Sequence, residues 1–176
     1  MFMPKRRVLI ALAFGSLFSA TLAAQETPHL GKAISEEQLQ GWDLIISPDG
    51  EGLPSGNGTA AQGKEIYEQQ CAACHGLEGQ GGAGVPGLVG GSTKSRPALL
   101  TVGSYWPYTS TLYDYVRRAM PPTAPKSLSD TQVYQIVAYI LHLNGLVDED
   151  VVLDSVSLPR IEMPNHAGFI DRSQVQ

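Results

Sequence analysis

The stretch Cys71-Ala72-Ala73-Cys74-His75-Gly76 decides the reading of this chain. Its C-x-x-C-H spacing is the attachment pattern of a c-type haem. Two thiols about one turn of helix apart reach the two vinyl groups of one porphyrin and become thioethers, and the next residue places an imidazole under the iron. Rival patterns leave part of the stretch unused. A thioredoxin-like redox pair wants a βαβ setting and gives no reason for the adjacent histidine, and a structural zinc needs two further Cys or His ligands that are not grouped elsewhere in the sequence. The stretch therefore predicts one covalent haem c on Cys71 and Cys74, with His75 as proximal ligand.

Outward from this stretch, the pattern predicts an all-α domain over 59–146. Thr59-Ala60-Ala61-Gln62 is a capping box, so a helix is expected from Ala60 to about Ala73. Gly63 sits inside it at a cost of about 1 kcal/mol relative to alanine, which asks for a packing reason such as the close approach of another helix. Gly76 to Gly91 is a glycine-rich loop. It follows a helix rather than a strand and no Gly-Lys-Ser/Thr closes it, so a phosphate cradle is disfavoured. Its expected task is to turn tightly against a porphyrin face, with a carbonyl near Pro86 fixing the second imidazole nitrogen of His75. Leu112, Tyr115, Val116 and Ala119 give one face of a helix that starts near Thr109 and stops at Met120, because Pro121 disfavours helix in the residue before it. Ser129-Asp130-Thr131-Gln132 caps the last helix, whose stripe Val133, Ile136, Val137, Ile140 and Leu141 ends at Asn144-Gly145.

Both ends carry extensions. Lys5, Arg6 and Arg7 before an apolar segment, then small residues up to Ala24, read as a signal peptide over 1–23, cut just after Ala23 or Ala24. The apolar run is short for a full span and is diluted by Gly15, Ser16 and Ser19, so no membrane span is expected after cleavage, and the destination is the periplasm. Cleavage removes three cations and leaves 9 against 17 acidic residues, which disfavours nucleic acid as a partner. Residues 24–58 hold a short helical pattern at Ser35–Leu39, the apolar Trp42, Ile45 and Ile46, and a turn-rich connector from Ser47 to Gly58, ordered only if it packs on this domain or on a partner. Residues 147–176 form an irregular tail, either wrapped over the domain or loose.

Met120 stands on irregular backbone between a helix end and a loop, where its thioether can bend towards an iron. Met163, His142 and His166 are the other candidates. Filling both axial positions with His and Met leaves no open site, so electron transfer becomes the task and catalysis by the chain alone is not expected. Arg96, Tyr105 and Trp106 are candidates for the surroundings of the haem propionates, since a cation and two ring-bound donors can compensate buried carboxylates.

With Gly63, Tyr67, C-A-A-C-H, Pro86, Leu88, Met120-Pro121 and Tyr139 in this order, the chain resembles a class I cytochrome c over about Thr59 to Gly145. A narrower resemblance rests on Gly41-Trp42-Asp43, Pro48-Asp49-Gly50, Gly52-Leu53-Pro54, Gly103 to Tyr108, Asp114 to Pro121 and Glu162-Met163-Pro164-Asn165. These segments look like the monohaem cytochrome partners of sulfite-oxidase-type molybdenum enzymes, including the haem domain of the SoxD subunit of sulfane dehydrogenase. The resemblance implies a class I cytochrome c fold with irregular terminal extensions. It implies electrons accepted singly from a molybdenum-containing sulfite or sulfane dehydrogenase and passed to another cytochrome or a terminal oxidase. A cytochrome serving another periplasmic dehydrogenase or a respiratory chain is the second reading, and a haem enzyme or gas sensor the third.

Overall fold

Several helices of this chain begin where a hydroxyl and a polar side chain three residues on cap each other. A computed structural model describes residues 31–40, 42, 45–82 and 84–169, and the expected signal peptide lies outside them. The chain divides at Ile34, and the elements below belong to the unit Ser35–Gln176. Ser35 and Gln38 bond reciprocally at 3.0 and 3.2 Å to open α1, Glu36–Gln40. After the two-residue strand β1, Asn57–Gly58, the Thr59–Gln62 box opens α2, Ala60–Gln70. The short α3, Ala72–His75, and α4, Val102–Tyr105, precede α5, Thr109–Ala119. The Ser129–Gln132 box opens α6, Asp130–Leu143, and β2, Leu153–Asp154, follows. The class is all-α, with one small antiparallel ladder in which Asn57 faces Asp154 and Gly58 faces Leu153.

The helix expected as one piece over 60–73 is two. Cys71 leaves helical geometry at φ −121°, and α3 starts anew beyond it. Across the break the buried Tyr67 donates its hydroxyl to the Gly76 carbonyl at 3.0 Å. Nine residues of straight helix rise about 13 Å, beyond the reach of a phenol, so the break is what folds Gly76 back onto α2.

The core sits where α2 crosses α6, the most extensive contact between elements. A Cβ added at Gly63 would fall on the Gln135 carbonyl oxygen and crowd Tyr139, which is the close approach that the mid-helix glycine required. Tyr67 and Tyr139 stack at 5.2 Å, and Tyr113 of α5 meets Tyr134 of α6 at 4.5 Å. Arg117 pairs with Asp130 at 2.8 Å and ties α5 to the start of α6.

The tail, for which the sequence left two options, wraps the domain. Leu153, Leu158 and Met163 are fully buried in the same core. At about 2 kcal/mol for each such side chain, their burial offsets part of the ordering cost of the segment. The connector is also fixed: Ser110 donates to the Pro48 carbonyl at 2.8 Å and Tyr134 to the Pro54 carbonyl at 2.9 Å. Gly50 lies against Pro159, joining connector to tail. Of the apolar strip, Ile46 packs on the core, whereas Trp42 and Ile45 stay 79% and 73% exposed.

Gly63→Ala should lose about 2 kcal/mol net, the overpacking cost exceeding the gain in helix propensity; a denaturation midpoint unchanged from wild type would contradict the crossing. Burial, then the carboxylates of Asp154 and Asp130, push the Tyr134 hydroxyl up to about 12. A folded-state value above the unfolded value of about 10 means stability is complete below pH 10 and is lost as pH rises towards 12. Tyr134→Phe should cost about 1 kcal/mol at pH 8 through the lost bond to Pro54, yet should shrink the alkaline loss. Denaturant titrations at pH 8 to 12 read both effects.

Candidate haem site

Cys71, Cys74 and His75 share one turn, with the amides of Cys74 and His75 both donating to the Cys71 carbonyl, at 3.1 and 3.0 Å. Cys71 is half-buried and Cys74 exposed, and both are free thiols. Burial pushes the Cys71 thiol up to about 11, the direction opposite to that of a redox-active or metal-binding cysteine. Among the described residues, no group of three or more His, Cys, Asp or Glu side chains is placed to hold a metal ion.

Gly76 ends the turn at φ +79°, where an added Cβ would fall on the Gln80 carboxamide. The loop then closes beneath the histidine: the Gly81 amide donates to the His75 carbonyl at 2.7 Å, and the Leu88 amide to Gly79 at 2.7 Å. This brings the carbonyl of Pro86 itself to 3.4 Å from His75 Nδ1, leaving Nε2 as the nitrogen available to an iron. The loop is held from behind by Asn144, which the sequence showed only as a helix end. Its side chain accepts from Gly90 N–H at 3.2 Å and donates to the carbonyls of Leu88 and Ile140 at 3.2 and 2.8 Å, in space left by Gly103.

Met120 caps α5 in extended backbone, φ −114° and ψ 146°, half-buried at the edge of the core. The other candidate axial ligands have different partners. Met163 is 1% exposed within the core. His142 Nδ1 lies 3.1 Å from the Val147 carbonyl, and His166 Nδ1 lies 3.2 Å from the Pro107 carbonyl. Tyr105 ends α4 with its ring on Phe169, and Trp106 is half-buried, edge-on to Tyr115 of α5 at 5.5 Å. Arg96 is exposed in the loop closed by the Ser92–Leu99 bridge, and its guanidinium donates to the carbonyls of Lys94 and Ser95 at 3.3 and 2.9 Å. The structure therefore joins Trp106 to the helix that carries Met120 and shows no direct contact of Arg96 with either aromatic.

Residues 58–140 match the family described as cytochrome c oxidase, cbb3-type, subunit III. The fold matches the crystal structure of the sulfane dehydrogenase SoxCD from Paracoccus pantotrophus with a TM-score of 0.78 and 39% identity, over 85% of this chain and 76% of that one. The chain belongs to the class I cytochrome c family. Among curated proteins, the cytochrome is 29% identical over 109 residues to a thiosulfate dehydrogenase of Stutzerimonas stutzeri strain A1501. It is 32% identical over 108 residues to a cbb3-type cytochrome c oxidase subunit CcoP of Azospirillum sp. strain B510. These stretches cover 62% and 58% of this chain but 35% and 34% of those proteins, so the cytochrome spans about a third of their length.

The family implies haem c, and the residues present fit it. The donor set is right in kind and spacing, and the imidazole is already oriented. Tyr115, Leu99 and Leu100 are 48%, 60% and 45% exposed. Among the described residues no helix is long and apolar enough to cross a membrane. The family's activity is electron transfer, and the geometry of this cytochrome serves it.

Proposed function

We propose that this cytochrome is an exported, one-haem electron carrier that accepts electrons singly from a molybdenum-containing sulfite- or sulfane-oxidising dehydrogenase. It passes them to a downstream cytochrome or terminal oxidase. The observation that carries this reading is the reach of the match to the sulfane dehydrogenase SoxCD. A match over 85% of the chain cannot be confined to 59–146 and extends into the flanking segments, beyond the haem-domain match over 58–140. Export is supported by the sequence from Lys5 to Ala24.

In this reading Cys71 and Cys74 form the thioethers, His75 is the proximal ligand and Met120 the distal one. Met120 is supported by its place at the extended end of α5 and by the commitment of Met163, His142 and His166 elsewhere. Haem c, when bound, supplies one-electron chemistry at its iron, with a potential raised by a thioether ligand. The chain's own residues do the rest. Pro86 would fix the tautomer of His75, Met120 would supply the second ligand to the iron, and Arg96, Tyr105 and Trp106 stand as candidates to face the propionates. Ala73, Cys74 and Leu77 are exposed, giving a small apolar surface beside the attachment turn at which desolvation costs little. The acidic excess steers a basic partner at longer range. Sulfite oxidation releases two electrons, so each turnover needs two deliveries to this chain and a partner surface that exchanges quickly.

The matches to thiosulfate dehydrogenase and to CcoP favour a second reading, a carrier serving another dehydrogenase or a respiratory oxidase.

Met120→Ala should lower the reduction potential and open the iron to cyanide and carbon monoxide; the same behaviour in Met163→Ala, with Met120→Ala unchanged, would move the ligand to the tail. Stopped-flow reduction by the purified molybdenum dehydrogenase should slow by about tenfold or more between low and high ionic strength. Ala73→Lys should slow it with no change of potential. Uptake indifferent to both salt and Ala73→Lys would place the docking surface elsewhere, on the N-terminal strip at Trp42 and Ile45, whereas no reduction at all would favour the second reading.

A further inference from the structure

The segment 105–109, between α4 and α5, is held by the tail at alternate positions. The Tyr105 carbonyl accepts from Asn165 Nδ2 at 2.8 Å, the Pro107 carbonyl lies 3.2 Å from His166 Nδ1, and Thr109 Oγ1 donates to the Leu158 carbonyl at 2.7 Å. Rings reinforce the polar ties, with Phe169 on Tyr105 and His166 edge-on to Tyr108, each at 5.2 Å. The tail side of this contact is itself rigid. Leu158 and Met163 are buried, the His166 amide donates to the Met163 carbonyl at 2.9 Å, and the Asn165 side chain occupies the space where a Cβ on Gly168 would stand.

Trp106 lies between the held residues. Its ring meets Tyr115 edge-on, and Tyr115 shares α5 with Met120. Arg117 ties α5 to Asp130, and the strap reaches the same helix through the edge-on contact of Trp106 with Tyr115. Buried Leu153, Leu158 and Met163 are enough to seat the tail; the two side-chain bonds to strap carbonyls add register. Residues 163–169 lie outside the haem-domain match, so this device is an addition to the common domain.

We infer that Asn165 and His166 are positioning residues for the haem site. By holding the carbonyls of Tyr105 and Pro107 they keep Trp106 against Tyr115, and so close the wall beside the sixth ligand to water and small ligands. The inference rests on Met120 and Trp106 standing at the haem, as proposed above.

The test uses the holoprotein at one pH, with Asn165→Ala and His166→Ala combined. Cyanide binding to the ferric form should quicken by about tenfold, the effect of losing two ordinary hydrogen bonds on how often the strap opens. The potential should fall, and backbone hydrogen exchange at Tyr105 and Trp106 should accelerate. His166→Asn alone, whose amide can still reach the Pro107 carbonyl, should behave as wild type. Tyr134→Phe, which loosens the fold away from the strap, should leave cyanide binding unchanged. Cyanide rates within about twofold of wild type in the double variant, or equal acceleration in Tyr134→Phe, would overturn the inference. The exchange readout does not depend on the sixth ligand. Accelerated exchange at the strap with unchanged cyanide binding would mean that the tail holds the strap but the strap does not guard the iron. A failure of Met120 as ligand would instead show in Met120→Ala, independently of the tail.

Discussion

The close approach of two backbones, Gly63 of α2 over the Gln135 carbonyl of α6, is the constraint on which the rest depends. It sets α2 flat against α6, so that Tyr67 reaches Tyr139 on one side and Gly76 on the other. The hydroxyl of Tyr67 then holds the far end of the attachment turn, and the loop returning from Gly76 places the Pro86 carbonyl beside His75. A side chain at position 63 would push the helices apart and, through Tyr67, disturb the orientation of an imidazole twelve residues away. Packing and ligand geometry are thus one chain of contacts.

The haem domain is enclosed by segments that a generic domain of this family does not need. Connector and tail meet at Gly50 and Pro159, pair as β1 and β2, and bury Leu153, Leu158 and Met163 in the common core. The tail also holds the strap 105–109, through Asn165 on the Tyr105 carbonyl, His166 beside the Pro107 carbonyl and the Leu158 carbonyl on Thr109. Trp42 and Ile45, which find no cover within the described residues, lie where that enclosed body ends.

Much of the site was legible because it is local. The C-x-x-C-H turn, the capping boxes at Thr59 and Ser129, the glycine at 63 and the stop before Pro121 each carry their signal within a few residues. Pro86 was legible as a neighbourhood, and the structure names its own carbonyl. The break at Cys71 was hidden because its cause, the bond from Tyr67 to Gly76, spans nine residues with a backbone acceptor that no sequence marks. Asn144, Asn165 and His166 were hidden for the same reason: each spends its side chain on backbone groups, and those of Asn165 and His166 lie about sixty residues away. Met163, a rival axial candidate in the sequence, is 1% exposed among the core side chains, a placement that only the fold shows.

The turn at 71–75 is the expected site of a single, covalently held porphyrin. Intact-mass analysis of the mature protein, made in a host with c-type haem maturation and washed with acidified organic solvent, tests this most directly. The account predicts a mass equal to the processed chain plus one haem, retained through the wash and lost from the Cys71→Ala, Cys74→Ala chain. A wild-type mass equal to the bare polypeptide, or haem retained after both cysteines are replaced, would contradict it.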